Sequence, residues 1–303
     1  MSPDTKGQLF ALFAAMNWAC ALVLFKRSGE KIPPLALNLF KNVVALLLLA
    51  ATLPFLAEDF DQVRDLPPRD MWLLLISGVL GIAVADSLIF YSLNYVGVGI
   101  MAIVECTYSP FIILFAVLML GERLTLAHLI GGGLILTGVL ICSKHPPPEG
   151  KTPRQVLWGV LLGTAGLASM GFGIVMIKPI LERMPLVWAT TLRLASGTLA
   201  LAAYMAVVPA HRKTFAVFRP SKIWKFAVPA SILGSYIAMI FWVGGFKYTA
   251  SSSAAVLNQT ATVFSMILAT LVLKERLTAR KLAAVTLALL GVMTVTLLGH
   301  LFE

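Results

Sequence analysis

Two stretches of this sequence decide its fold: residues 105–125, ECTYSPFIILFAVLMLGERLT, and residues 258–278, NQTATVFSMILATLVLKERLT. Each is an apolar run of helical length that follows a short polar segment and ends on Glu-Arg-Leu-Thr, at 122–125 and at 275–278. The two stretches lie 153 residues apart in a chain of 303, so they occupy corresponding places in its two halves. The sequence therefore predicts two copies of one apolar helical unit.

The similarity between the halves extends well beyond these stretches. A shift of 152 residues, without a gap, aligns Gly7 with Gly159, Lys26 with Lys178, Glu30 with Glu182, Pro33 with Pro185 and Lys41 with Arg193. At a shift of 153, Tyr95 aligns with Tyr248 and Gly138 with Gly291. We predict a first repeat over residues 1–144 and a second over 156–303, joined by a linker at 145–155.

The composition indicates that this repeated unit lies in a membrane. Of the residues, 59% are hydrophobic and 13% charged, whereas soluble proteins average about 25% charged. Since a membrane helix needs about 20 apolar residues, the apolar runs predict an all-α integral membrane protein with ten spans. These spans are 7–25, 34–56, 71–93, 97–120, 126–143, 156–177, 186–208, 224–246, 250–273 and 280–299.

Five spans in each repeat have a geometric consequence. Because five is odd, the second copy enters the membrane from the opposite side and lies inverted relative to the first. Inverted repeats are typical of alternating-access carriers, which bind their solute between the repeats near the middle of the bilayer. We therefore expect a binding site at the interface of the two halves.

Several motifs resemble those of a known family. The paired Glu-Arg-Leu-Thr, with Glu105–Pro110 and Leu257–Thr260 in the preceding runs, is similar to stretches of the drug/metabolite transporter superfamily, in its EamA-type branch. The resemblance covers essentially the whole chain. It implies a multi-pass exporter or exchanger of small metabolites in the bacterial inner membrane, with a central cavity lined by both halves.

Charged residues inside the spans are the first candidates for function: Lys41, Asp86, Glu105 and Arg193. Each charge costs about 2.5–3.5 kcal/mol at the centre of a membrane helix on insertion scales, so each must face a partner or water. Glu105 shares a helical stripe with Tyr108. A carboxylate in a dry cavity can take up a proton near neutral pH or hold a cationic group, although a protonated Glu bonded to a neighbouring helix remains open.

The two halves differ in polarity at these positions. Asp86 corresponds to Met239, and Glu105 corresponds to Asn258. One half could hold the charge or proton while the other supplies neutral hydrogen bonds, or Asp86 could pair with Lys41.

Lys41 and Arg193 match each other in the repeat. Either they share a structural task, such as snorkelling to headgroups or bonding a carbonyl, or they bind an anion.

Uncharged polar and aromatic residues complete the candidate set for solute binding or coupling. They are Asn17, Trp18, Tyr91, Tyr108, Trp242, Asn258 and Gln259. Aromatic rings can stack on an aromatic or cationic solute, whereas packing is the alternative role for each.

The remaining expectations concern partners and chemistry. The formal charge of +10 lies mostly in short connections between spans, which favours membrane topology over nucleic-acid binding. We expect no cofactor and no metal site, since the cysteines lack CxxC or His partners. The expected partners are lipid, a small solute and, as an open alternative, a proton, and the fold is compatible with a monomer. A non-catalytic scaffold or flippase subunit is the rival function; an intramembrane enzyme is disfavoured because no catalytic motif is found.

The orientation is left open by two conflicting signals. With the termini inside, cytoplasmic segments carry 7 Lys and Arg residues and external ones 15, so this bias favours termini outside. The family resemblance implies termini inside.

Overall fold

The structure, a computed structural model, describes residues 3–55, 61–121, 126–143, 150–274 and 278–299. Throughout these ranges every regular element is helical. The Glu-Arg-Leu-Thr motifs lie outside the described residues, apart from Thr278. Residues 145–149 of the predicted linker at 145–155 also lie outside them.

Within these described ranges, ten apolar helices, which we number α1 to α10, form the membrane-spanning part. They are α1 (Pro3–Gly29), α2 (Pro34–Thr52), α3 (Pro68–Gly78, Val79–Val84 and the start of Ala85–Glu105), α4 (the end of Ala85–Glu105, then Tyr108–Leu120), α5 (Leu126–Ser143), α6 (Pro153–Met176), α7 (Leu186–Val207), α8 (Trp224–Ser231, Ile232–Ile237 and Ala238–Tyr248), α9 (Ser251–Asn258 and Thr260–Val272) and α10 (Ala279–Gly299). Short helices lie between them at Leu53–Phe55, Asp61–Arg64, Lys178–Arg183 and Pro209–Phe218.

Local sequence sets where several helices begin. Pro34, Pro68 and Pro153 each stand at the start of a helix, where a missing N–H costs nothing and the fixed φ favours the helix. Before α6, the Thr152 hydroxyl accepts from the Gln155 backbone N–H at 3.3 Å, and the Gln155 side chain accepts from the Thr152 N–H at 2.9 Å. This reciprocal capping box fixes the first turn of the second repeat.

Gly97 separates α3 from α4. The helical segment Pro68–Glu105 has 38 residues, far more than the roughly 20 that cross a bilayer. At Gly97 the backbone turns sharply, with φ 75° and ψ 174°, a conformation that is open essentially to glycine alone. The turn therefore divides one continuous apolar segment into two spans, as the sequence predicted.

Among the described residues, each repeat contains one π-helical segment, and the two lie at the same place. These are Val79–Val84 in α3 and Ile232–Ile237 in α8. A π-turn widens the helix and disturbs its hydrogen-bond ladder. In α3, Ser169 of α6 donates to the Leu80 carbonyl and Asn38 of α2 donates to the Ile82 carbonyl, both at 2.9 Å. The widened turn is thereby fixed to helices of both repeats.

Reciprocal hydrogen bonds join the two repeats where α4 and α9 cross. Thr262 donates to the Ala102 carbonyl at 3.1 Å, and Ser109 donates to the Ala255 carbonyl at 3.5 Å. A shift of 153 residues converts one bond into the other. The crossing therefore lies at the pseudo-twofold axis that relates the halves.

The two repeats interdigitate. Helix α1 packs against α8 and α9, α6 packs in the corresponding way against α3 and α4, and α5 pairs with α10. Apolar side chains also cover the outside, such as Leu199 at 70% exposure and Leu271 at 72%. Exposure of so much apolar surface to water would be unfavourable, whereas contact with the apolar chains of lipid is not. The predicted fold class, ten membrane helices in two inverted five-helix repeats, is confirmed.

Candidate functional site

A cavity lies between the two repeats at the centre of the helix bundle. It contains about 870 Å³ of space free of protein atoms, part of which is open to solvent. Eight helices, α1 to α4 and α6 to α9, contribute to its wall. The charged and polar lining residues are Trp18, Lys41, Asp86, Glu105, Tyr108, Arg193, Trp242, Asn258, Gln259 and Thr262.

Glu105 lies at the end of the helical segment Ala85–Glu105, directly before the break in α4. Its side chain accepts a hydrogen bond at Oε1 from the indole Nε1 of Trp18, at 2.7 Å. The other oxygen, Oε2, is buried and has no hydrogen-bond partner among the described residues. One half of this carboxyl group is therefore held by α1, and the other half is free to bind a ligand or a proton.

Tyr108 and Trp242 form an aromatic wall beside this carboxyl group. Their ring centroids are 6.5 Å apart, and Phe246 packs edge-on against both rings. The Tyr108 hydroxyl is buried and makes no hydrogen bond of ordinary length and angle with the described residues, although it lies close to the Trp242 side chain. The wall thus combines apolar ring faces with one polar atom that is at most weakly bonded.

Lys41 and Asp86 form a buried ion pair across α2 and α3. Lys41 Nζ lies 2.6 Å from Asp86 Oδ2, and the two side chains are only 1% and 5% exposed. The ammonium group also donates to Asn42 Oδ1 at 2.8 Å. The pairing that the sequence left open is therefore present. Asp86 also attracts Arg193, which it does not contact.

Arg193, the repeat equivalent of Lys41, has a different environment. It is 2% exposed, and its guanidinium carbon lies 5.4 Å from the centroid of the Trp242 ring. Both Nε and Nη1 are buried, and neither has a hydrogen-bond partner among residues that the structure describes. An aromatic face stabilises the cation, but its Nε and Nη1 donors are unused.

Asn258 and Gln259 stand at the break in α9. Gln259 donates to the Glu105 carbonyl at 3.2 Å and to the Ser109 hydroxyl at 3.0 Å, so it connects the breaks of α4 and α9. The Asn258 Nδ2 atom is buried and lacks a partner within the described ranges. Of the two amides, Asn258 is the one available to a ligand.

The structure does not bring two predicted residues to the cavity. Asn17 donates to the Phe13 carbonyl of its own helix at 2.8 Å, and Trp18 takes the inward-facing position instead, because neighbours on a helix point about 100° apart. Tyr91 packs with Leu35, Leu39 and Leu201 away from the cavity. It follows Asp86 by five residues, which places it about 140° around the helix.

Other lining residues were not predicted from the sequence. Gly81 and Gly234, one in each π segment, both line the cavity. A Cβ atom at Gly81 would lie 3.2 Å from Nη2 of Arg193, so the glycine makes room for the guanidinium. Their shared place at the 153-residue shift is the signal that could have identified them.

The fold and the cavity define a multi-pass membrane protein whose two inverted repeats enclose a polar site. The EamA-like transporter family model matches residues 5–144 and 157–297. The chain therefore belongs to the EamA-like transporter family, as the sequence motifs predicted.

Individual relatives agree with this assignment. An "Uncharacterized transporter" of Archaeoglobus fulgidus is 22% identical over 292 residues, which cover 95% of this chain and 97% of the relative. A second protein of that description, from the same organism, is 33% identical over 145 residues, or 46% of this chain and 49% of the relative. A solved crystal structure matches 99% of both chains with a TM-score of 0.73 at 21% identity, which supports the fold.

Proposed function

We propose that this protein is a secondary transporter, an exporter or exchanger that moves a small solute such as an amino acid or amine by alternating access. We further propose the bacterial inner membrane as its location. The carrying observation is that four residues present unpartnered polar atoms to one cavity between inverted repeats. Glu105 and Tyr108 come from the first repeat, and Arg193 and Asn258 from the second.

Unpartnered buried polar atoms point to a ligand because they are costly. A buried donor or acceptor left unsatisfied costs about 1–3 kcal/mol, and more when it is charged. Other buried polar side chains of the bundle are satisfied, as with Asn38, Ser169 and Thr262. Outside the cavity, the buried side-chain atoms that lack a partner among the described residues are uncharged serine hydroxyls, those of Ser77, Ser235, Ser251 and Ser265, whereas the cavity holds a carboxylate oxygen and guanidinium nitrogens. A bound solute that supplies the missing partners would recover this free energy. A scaffold protein that binds no solute would leave these groups unsatisfied without any gain in function.

Glu105 is the proposed site for a cationic group or for a proton. Trp18 orients the carboxyl group through Oε1, and Oε2 is left for the second interaction. Both repeats contact Glu105: Trp18 of α1 bonds its carboxyl group, and Gln259 of α9 bonds its backbone carbonyl. Occupancy at Glu105 would therefore affect the packing of the halves.

Transport in proteoliposomes tests this function. Purified protein is reconstituted, loaded with a mixture of unlabelled amino acids and amines, and assayed for uptake of each labelled compound, with and without a pH gradient. We expect uptake that the variant Glu105→Gln abolishes.

A matched control is Glu182→Gln, because Glu182 pairs with Lys178 at 3.0 Å but is 55% exposed. We expect this variant to transport normally. If the wild type moves no compound under any gradient, the transporter proposal is wrong. If Glu105→Gln loses the pH-gradient dependence and still exchanges solute, the Glu105 carboxyl group binds the proton. If this variant also loses solute exchange, the carboxyl group is a ligand of the solute.

A further inference from the structure

The two repeats treat one charge pair differently. A shift of 152 residues relates Lys41 to Arg193, and a shift of 153 relates Asp86 to Met239. In the first repeat Lys41 is neutralised by Asp86 at 2.6 Å. In the second repeat the cation is Arg193, and the position that corresponds to Asp86 is Met239, which also lines the cavity.

Arg193 therefore has no carboxylate in direct contact as its equivalent has, although Asp86 attracts it from a greater distance. Among the described residues no carboxylate oxygen lies within 4.0 Å of its guanidinium. The ring of Trp242, at 5.4 Å, stabilises a cation by less than the burial of a charge costs. The ring also leaves Nε and Nη1 without partners.

We propose that Arg193 binds an anionic group of the solute, a carboxylate, at the place that corresponds to the Asp86 carboxylate in the first repeat. The solute thus completes in the second repeat the ion pair that the first repeat contains permanently. This inference rests on the proposed function and narrows it, since it selects carboxylate-bearing solutes over plain amines. The planar guanidinium suits this role because it matches carboxylate geometry and keeps its charge when buried.

Stability of the ligand-free protein gives the first test. Arg193→Met removes a buried cation that no described carboxylate contacts and whose Nε and Nη1 lack partners, so we expect the apparent Tm in detergent to stay equal or rise. Lys41→Met leaves Asp86 as an unpaired buried carboxylate, so we expect the Tm to fall. If Arg193→Met lowers the Tm as much as Lys41→Met does, Arg193 has an internal role and the proposal is overturned.

Binding gives the second test, with three sets of probes: the L-amino acids, their decarboxylated amines and their deaminated acids. We expect carboxylate-bearing probes to stabilise the wild type, and Arg193→Met to weaken their binding about 10- to 100-fold, as for loss of a charged hydrogen bond. The proposal is overturned if the amines bind as well as the parent amino acids, if the loss in Arg193→Met is equal for all three sets, or if no carboxylate probe binds.

Met239→Asp supplies the missing counter-ion from the protein itself. We expect the new carboxylate to compete with the solute for Arg193. Met239→Asp should therefore weaken carboxylate binding at least about tenfold more than Met239→Asn, because Asn has nearly the same shape as Asp but no charge. Equal effects of Asp and Asn would count against the proposal. A phospholipid headgroup also carries an anion, so the binding assay is repeated with added phosphatidylglycerol. If Arg193 binds this lipid and none of the soluble carboxylates, the proposal of a carboxylate solute is overturned.

The two proposals fail separately. Carboxylate binding that depends on Arg193, without any transport in proteoliposomes, removes the transporter function and keeps the anion site. Transport of amines that Arg193→Met does not change keeps the transporter function and removes the anion site.

Discussion

Asp86→Asn is expected to destabilise the protein strongly, because it leaves Lys41 as a buried cation without a counter-ion. The two charges are 2.6 Å apart and 1% and 5% exposed, so at an effective dielectric constant of about 20 their attraction is roughly 6 kcal/mol. Desolvation offsets part of this attraction. The remaining hydrogen bond from Lys41 to Asn42 does not neutralise the charge, and we expect a loss of about 3–5 kcal/mol.

The double variant Lys41→Met with Asp86→Leu separates the ion pair from mere packing. Replacing both partners by apolar residues of similar size is often neutral or stabilising. We therefore expect the double variant to be more stable than Asp86→Asn, although it carries two substitutions in the core.

Equilibrium unfolding in mixed detergent and SDS micelles, followed by circular dichroism, measures these free energies. The matched control is Asp70→Asn, which removes the partner of Arg183 at 2.9 Å, an ion pair whose Arg is 61% exposed. We expect that control to lose less than about 1 kcal/mol. The reasoning is refuted if Asp86→Asn is no more destabilising than Asp70→Asn, or if the double variant is the least stable of the set.

Three further predictions concern other contacts of the bundle. Gly78→Ala places a Cβ atom 2.1 Å from the Arg193 carbonyl oxygen and should lose about 1–3 kcal/mol in the same unfolding assay, whereas Gly132→Ala, with no atom within 4 Å, should lose none. Trp18→Phe removes the 2.7 Å bond to Glu105 and should cost about 1–3 kcal/mol; an unchanged stability would show that the bond is not made. Gln259→Leu breaks the connection between α4 and α9 and should reduce transport rate and stability together; full activity would contradict its bridging role.

Much of the fold was predictable because membrane helices are encoded by long apolar runs. The division at Gly97 was visible as a break between two runs, and the structure turns the chain there. The π segments were not predictable, because one extra residue in a turn leaves no mark on an apolar pattern. The segment in α3 is instead seen with its tertiary contacts, such as the bond from Asn38 to the Ile82 carbonyl.

The candidate site was predictable in its charged residues and less so in its uncharged ones. Buried charges are rare enough in a membrane helix to be noticed singly, and the structure brings all four of them to one cavity. Asn17 and Tyr91 have ordinary side chains for a helix interface, and only the rotation of each helix decides which way they face. The pairing of Lys41 with Asp86 depends on how α2 and α3 pack, so the sequence alone left it as one of two alternatives.

The reciprocal bonds between α4 and α9 have a consequence for motion. A carrier that alternates by exchanging the conformations of its two halves converts the Thr262 to Ala102 bond, at 3.1 Å, into the Ser109 to Ala255 bond, at 3.5 Å, and the reverse. If this protein alternates in that way, the pair as a whole is the same before and after the exchange, and the crossing would stay in place while the helices around it move. A cysteine cross-link between Ser109 and Ala255 should then leave exchange intact, and loss of exchange would place the pivot elsewhere.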